Sequence, residues 1–334
     1  YNRHEQLVDE RTPWATVKSQ MEGGAVYLDT IPGGRNVIRH NLVRGNADGF
    51  MITAMSSGAN LASPNFMNDI DIYDNDILNI GDDPAELEGA CINLRWYQNR
   101  VSRSLMGCAP SPTKYGPVYH FRNVMLHFRD AAVKTGQIAR GFWSFNDTFW
   151  SKDPQAQGIS NFAGGNGIQG FFFINDIIRC NRNVIMAGRA PYLNMDYNLY
   201  WTDGRFSGDY ASLAAAQAAG VMGAHSMQVN PDSGLSPEGR PYAGSIVENR
   251  GCLIEGLNED FLGIAPDIGA LESQGIPAPP VADFLFSPNS GAAPLSVQFT
   301  DRSSGGITNW LWEFGDGATS SQQNPVHIYS SEGT

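Results

Sequence analysis

Three asparagines, Asn75, Asn99 and Asn123, stand 24 residues apart twice in a row. Each closes a short strand-like phrase: Asp69-Ile-Asp-Ile-Tyr-Asp-Asn75, Ile92-Asn-Leu-Arg-Trp-Tyr-Gln-Asn99 and Val118-Tyr-His-Phe-Arg-Asn123. The phrase recurs around Asn41, Asn146, Asn175 and Asn198, so the steps are 34, 24, 24, 23, 29 and 23 residues. Self-similarity at such a period marks a solenoid, whose units cannot bury their apolar faces alone and must stack. The phrases alternate apolar and polar residues with no helical periodicity, so each period is expected to be one coil of a parallel β-helix. An Asn at the same turn of every coil can pair its amide with the next coil and satisfy buried donors and acceptors along the axis. The longer steps are coils with loops let out of them.

Bulk composition agrees. Charged residues make up 17% of the chain and glycines number 37, which suits a turn-rich β protein. The net charge of -12 argues against nucleic acid as a general partner, although it leaves room for a local basic groove. No apolar run of about 20 residues is present to span a membrane as a helix. The chain starts abruptly at Tyr1 without a leader pattern, which reads as a mature or truncated form. Cys91, Cys108, Cys180 and Cys252 lack zinc-site spacing. They are either buried small apolar residues or, for Cys91 and Cys108 in a secreted protein, a pair.

Taken in order, residues 1–35 are a cap or the remnant of earlier coils, and residues 36–200 are the coils. Residues 201–272, with one helical stretch from Tyr210 to Ala219, are expected to cap the last coil. Residues 273–281 form a Pro-rich linker. From residue 282 to 334 the pattern changes to short alternating strands separated by turn clusters, the pattern of a β-sandwich.

Two resemblances rest on these residues. Pro294-Leu-Ser-Val-Gln-Phe-Thr-Asp301, Trp312-Glu-Phe-Gly-Asp-Gly317 and Asn324-Pro-Val-His-Ile-Tyr329 make residues 282–334 resemble a PKD domain, an immunoglobulin-like sandwich. Such domains resemble non-catalytic spacers and adhesion modules on secreted microbial proteins. The family pattern would continue beyond Thr334, so the expectation is either a cleaved product or a strand supplied by another chain. Residues 36–272 resemble the right-handed parallel β-helix proteins of the pectin-lyase-like superfamily, through the repeated phrase and the closing Pro266-Asp-Ile-Gly-Ala-Leu-Glu272. The expected architecture is therefore all-β: a right-handed parallel β-helix followed by a PKD sandwich. The superfamily holds lyases, hydrolases, epimerases, adhesins and tailspikes, and fold alone does not choose among them.

Three groups of residues could carry chemistry. Asp82, Asp83, Glu86 and Glu88 crowd carboxylates, with Glu86 and Glu88 on one strand face. They are either a calcium site or acid/base pair, or a solvated turn. Arg95, Lys114, Tyr119, His120 and Arg122 include the cations and bases that a lyase of acidic polysaccharides needs. The alternative is surface arginines, with His120 packed inward. Asp71, Tyr73, Tyr97 and Phe121 lie on an alternating stripe that should face outward and bind sugar rings, continued by Phe142/Ser144 and Phe171/Phe173. The expected function is a secreted or cell-surface protein acting on an acidic polysaccharide as a lyase or hydrolase. The alternative is a non-catalytic glycan-binding, adhesive or structural surface protein, such as the subunit of a multi-chain extracellular assembly; a homo-oligomer or further domains of the same chain are the other partners expected.

Overall fold

The computed structural model describes residues 3–5, 24–28, 34–54, 67–89, 91–110, 113, 115–135, 138–161, 167–186 and 193–331. Among the described residues three main parallel sheets run along one axis, and Ile138–Arg140 pairs with Gly167–Gln169 in a further parallel ribbon. Sheet I contains Asn36–Arg39, Met67–Tyr73, Cys91–Tyr97, Val118–Phe121, Phe142–Phe145, Phe171–Ile174 and Leu193–Asp196 in that spatial order. Sheet II contains the strands just after the repeated turn: Leu42–Arg44, Asp76–Ile80, Arg100–Ser104, Val124–Leu126, Thr148–Trp150, Ile177–Cys180, Leu199–Thr202 and Met227–Gln228. Sheet III is built from Gly24–Leu28, Asp48–Ala54 and Ala85–Gly89, then Met106–Cys108, Ala131–Thr135 and Gln157–Asn161, joined by the Glu86–Ala109 bridge. Successive strands pair with the next coil in register, for example Asp71 with Arg95 and Arg95 with Tyr119. The chain is a parallel β-helix followed by a sandwich.

Alternation decides what fills the helix. Ile70, Ile72, Leu94, Trp96, Val118, Phe142, Phe171 and Phe173 are all buried in one continuous core. Cys91, Cys108 and Cys180 are buried and Cys252 is half-buried, with no disulfide among the four.

The amide ladder runs through the turn between sheets I and II. Asn41 N donates to Asn75 Oδ1, Asn75 N to Asn99 Oδ1, and Asn99 N to Asn123 Oδ1, at 3.0–3.1 Å. It then continues where the asparagine pattern did not place it. Asn123 N donates to Asp147 Oδ1, Asp147 N to Asp176 Oδ1, Asp176 N to Asn198 Oδ1, and Asn198 N to Ser226 Oγ. Asn146 and Asn175 stand one residue early, in the left-handed turn position (φ 52° and 61°) that Asp74, Gln98, Arg122 and Tyr197 fill in other coils. One oxygen accepting a backbone N–H is all the ladder needs, and aspartate supplies it.

That shift corrects the outer stripe. Phe142, Ser144, Phe171 and Phe173 point inward and are fully buried, while Trp143 and Phe172 are the half-exposed outward residues of those coils.

Coil pairing extends past residue 200, to Met227–Gln228 beside Leu199–Tyr200. Helix α1, Leu213–Ala218, starts at Ser212, whose Oγ accepts from Ala215 N at 3.3 Å, and it buries Leu213 and Ala216 in the core. Of residues 201–272, expected to cap the last coil, the part from 245 onward lies along the outside of sheet II. There Val247, Ile268 and Leu235 pack on Trp150, Ile177 and Leu199. Asn146 Nδ2 donates to Asp267 O, and Asn175 holds Cys252 twice, donating from Nδ2 to Cys252 O and accepting at Oδ1 from Cys252 N. Gly269 of the closing motif has φ 103°, and a Cβ there would lie 2.6 Å from Ile177 Cδ1, so only glycine fits.

The C-terminal unit, described by itself, pairs Phe284–Ser287, Leu295–Asp301 and Val326–Tyr329 antiparallel, with a second ribbon of Trp312–Glu313 and Thr319–Ser320. Phe284, Phe286, Trp312 and Phe314 cluster around Phe299. Asp301 Oδ2 accepts from Trp310 Nε1, and Tyr329 Oη donates to Phe314 O.

Candidate functional site

The outer face of sheet I carries two columns of side chains. In the first, Tyr73 stacks on Tyr97 and Tyr97 on Phe121, each with ring centroids 4.7 Å apart and planes within 10° of parallel. That distance is the inter-coil spacing, so the rings lie like coins along the axis. Both faces of Tyr97 are therefore covered by neighbours, and the column turns edges outward. This corrects the expectation that Tyr73, Tyr97 and Phe121 offer flat faces to sugar rings. Burial, with Asp71 next among the causes, pushes the Tyr97 phenol up to about 12, so it stays protonated.

The second column is Asp71, Arg95, Tyr119, Trp143 and Phe172. Here Tyr119 meets Trp143 at 90° and Trp143 meets Phe172 at 74°, with centroids 5.3 and 5.4 Å apart. Two rings at right angles along one axis cannot both turn their faces along it. At least one ring of each pair therefore turns its face away from the column. All three residues are half-exposed. Trp143 and Phe172 were missed because counting from Asn146 and Asn175 reversed their parity; the even 24-residue step from Asn123 to position 147 is the signal that would have found Trp143.

The residues expected to do catalysis do not converge. Arg95 Nε and Nη2 are bound to Asp71 Oδ1 and Oδ2 at 2.5 and 2.8 Å, a forked pair that raises the guanidinium further above its usual range. Arg122 sits in the left-handed turn and forms a forked pair with Asp260 of the segment on sheet II, and that hydrogen bonding holds the Asp260 carboxyl below its usual range. The two ions border a groove of about 320 Å³ lined also by Gln98, Arg100 and Glu272. His120 is fully buried, with Nδ1 2.6 Å from Asp147 Oδ2 and Nε2 without a partner. Tyr119 faces outward and half-exposed in the same column as Arg95, and Lys114 lies outside the described residues.

The acidic residues do gather. Asp48, Asp82 and Asp83 bring carboxylate oxygens within 4.8 Å of one another. Glu86 and Glu88 follow on the adjoining strand. Lys134 reaches across from two coils away to bind Asp83 Oδ2 at 2.5 Å. Burial, then Glu86, pushes Asp48 up to about 7; burial, then Glu86, pushes Glu88 up to about 9. Burial, and next the charge of Asp82, moves Asp83 well above the usual carboxylate range. Asp48 holds the comparable place in the preceding coil, and the register stacks it on Asp83.

Comparison with known proteins bears on the C-terminal unit first. Residues 277–334 match the model of the PKD domain family. They are a PKD domain. The chain is also 40% identical over 78 residues to the collagenase ColQ1 of Bacillus cereus, covering 22% of this chain and 7% of that one. It is 41% identical over 54 residues to the collagenase ColA of Bacillus cereus, covering 15% of this chain and 6% of that one. The chain thus spans less than a tenth of the length of these relatives. No solved structure matches the chain.

Proposed function

We propose that this chain is an extracellular glycan-binding β-helix, holding a polysaccharide along the outer face of sheet I and carrying the PKD domain as an appended module. The observation that carries the reading is the Tyr119–Trp143–Phe172 column, whose edge-to-face contacts leave ring faces turned off the axis at the coil spacing. Apolar ring faces set beside polar groups are what a pyranose needs, since it has one CH-rich face and a rim of hydroxyls. Arg95 and Asp71, one and two coils along, supply the polar contacts. PKD domains resemble spacers and adhesion modules of secreted proteins, and the collagenase relatives are consistent with an extracellular setting.

The reading favours binding over catalysis. Arg95 and Arg122 already face Asp71 and Asp260, and His120 is buried, so these three of the lyase candidates are engaged elsewhere. For the same reason the glycan's charge contributes little, and binding should survive high salt. The test is affinity electrophoresis against neutral and uronate-containing polysaccharides. Trp143→Ala should weaken binding about tenfold, the equivalent of about 1.4 kcal/mol, while the fold stays intact by circular dichroism. Unchanged binding in Trp143→Ala would overturn the assignment of the face. Release of unsaturated oligosaccharides or new reducing ends on incubation would replace the binder with a lyase or hydrolase.

A further inference from the structure

We infer that the corner where sheet II turns into sheet III is a binding site for one hard divalent cation, calcium by its donor set, with Asp48, Asp82 and Asp83 as ligands. Phe50 pairs with Ala85, so Asp48 and Asp83 occupy the same position of consecutive coils, and Asp83 N donates to Asp48 Oδ1 at 3.2 Å. Stacking fixes the two carboxyls one coil spacing apart, and Asp82 adds a third. One oxygen from each lies within 4.8 Å of the others. Two ligands of one calcium ion, each about 2.4 Å from it, are separated by at most about 4.8 Å. The three oxygens therefore fit around a single ion.

A crowd of carboxylates alone would not make a site. The independent sign is Asp83. Its side chain is fully buried; Oδ2 is held by Lys134, and Oδ1 has no hydrogen-bond partner. A buried carboxylate oxygen without a donor is costly, and a cation beside it removes the cost. Asp48, 7% exposed, is nearly as far from water. Glu86 and Glu88 add carboxyl groups alongside, and the ammonium of Lys134 binds Asp83. An all-oxygen donor set with no Cys or His among the three clustered ligands selects calcium or magnesium over zinc or copper. The multiple, unevenly placed carboxylates suit the larger and less exacting calcium ion. The corner lies between sheets II and III, and the Trp143 column lies on sheet I, so the site stands independently of the glycan reading.

Isothermal titration of calcium chloride into the intact chain, stripped with chelator, tests the assignment. One calcium per chain is expected, with Asp48→Asn and Asp83→Asn each weakening the affinity at least about tenfold. Asp82→Asn, at a half-exposed position, carries the same expectation should Asp83→Asn fail to fold. No binding heat at millimolar calcium, or wild-type affinity in both Asp48→Asn and Asp82→Asn, would overturn the site and leave Lys134 and bound protons as the neutralising charges.

Discussion

Asp176 shows what one atom of difference does inside a coil stack. The ladder asparagines use Oδ1 to accept a backbone N–H and Nδ2 to donate to a carbonyl of the preceding coil, as Asn99 does to Ile72, Asn123 to Trp96 and Asn198 to Phe173. Asp176 keeps the acceptor but has no amide, and its Oδ2 is buried without a partner. Burial, then the neighbouring Asp147, raises the Asp176 carboxyl well above its usual range. In the unfolded chain an aspartate ionises near about 3.9. Above that pH the unfolded state releases its proton first, so the folded state loses stability as pH rises toward the raised folded value. Asp176→Asn removes this loss and restores the donor. The variant should be more stable by about 1–3 kcal/mol at neutral pH, with a gain that shrinks as pH falls toward 4. Urea unfolding at several pH values measures it; a gain independent of pH would mean that ionisation plays no part. The same residues explain one limit of sequence reading. Asn146-Asp147 and Asn175-Asp176 each offer two residues able to fill the ladder, and residue type alone favoured the asparagine. The freed Asn146 and Asn175 bind the segment on sheet II, a contact between distant parts of the chain that no local pattern announces.

At the scale of the strand, period two was legible wherever the ladder position was right. Ile70, Ile72, Leu94 and Trp96 lie inward, and Asp71, Tyr73, Arg95 and Tyr97 outward, as alternation requires. What alternation cannot carry is ring orientation. The strands place Tyr73, Tyr97 and Phe121 one coil apart; only packing decides that they lie face to face while Tyr119, Trp143 and Phe172 cross edge to face. The two columns should therefore separate by experiment. Tyr97 has a stacking partner on each side, and each aromatic contact contributes about 0.5–1.5 kcal/mol. Tyr97→Ala should cost about 1–3 kcal/mol of stability in urea titrations and leave glycan binding within about twofold. Trp143→Ala, which loses ring contacts to Tyr119, Phe145 and Phe172, should cost comparable stability but also weaken glycan binding about tenfold. A Tyr97→Ala variant of normal stability and lost binding would make the stacked column the recognition surface.

Across the whole β-helix, the open question is what holds residues 245–274 on sheet II, since a closing segment that came away would bare Trp150, Ile177 and Leu199. Two contacts compete for the role. Ile268 is fully buried against those residues beside Gly269, whose N–H donates to Asn175 O at 2.6 Å. Arg122 and Asp260 form a forked ion pair, but Asp260 is 71% exposed, so water and salt screen the attraction. Truncating a buried isoleucine to alanine costs about 2–5 kcal/mol, whereas an exposed pair contributes about 0–1 kcal/mol. Ile268→Ala should then lower the unfolding midpoint of the β-helix and speed amide exchange at Gly251 and Ile268, whose N–H groups bond to Pro266 O and Val247 O. Arg122→Ala should leave both nearly unchanged, and the small effect it has should vanish in about 1 M salt. The reverse ranking would make the segment a charge-latched flap instead of an apolar seal. Arg122, which its sequence context marked for catalysis, would then govern access to sheet II.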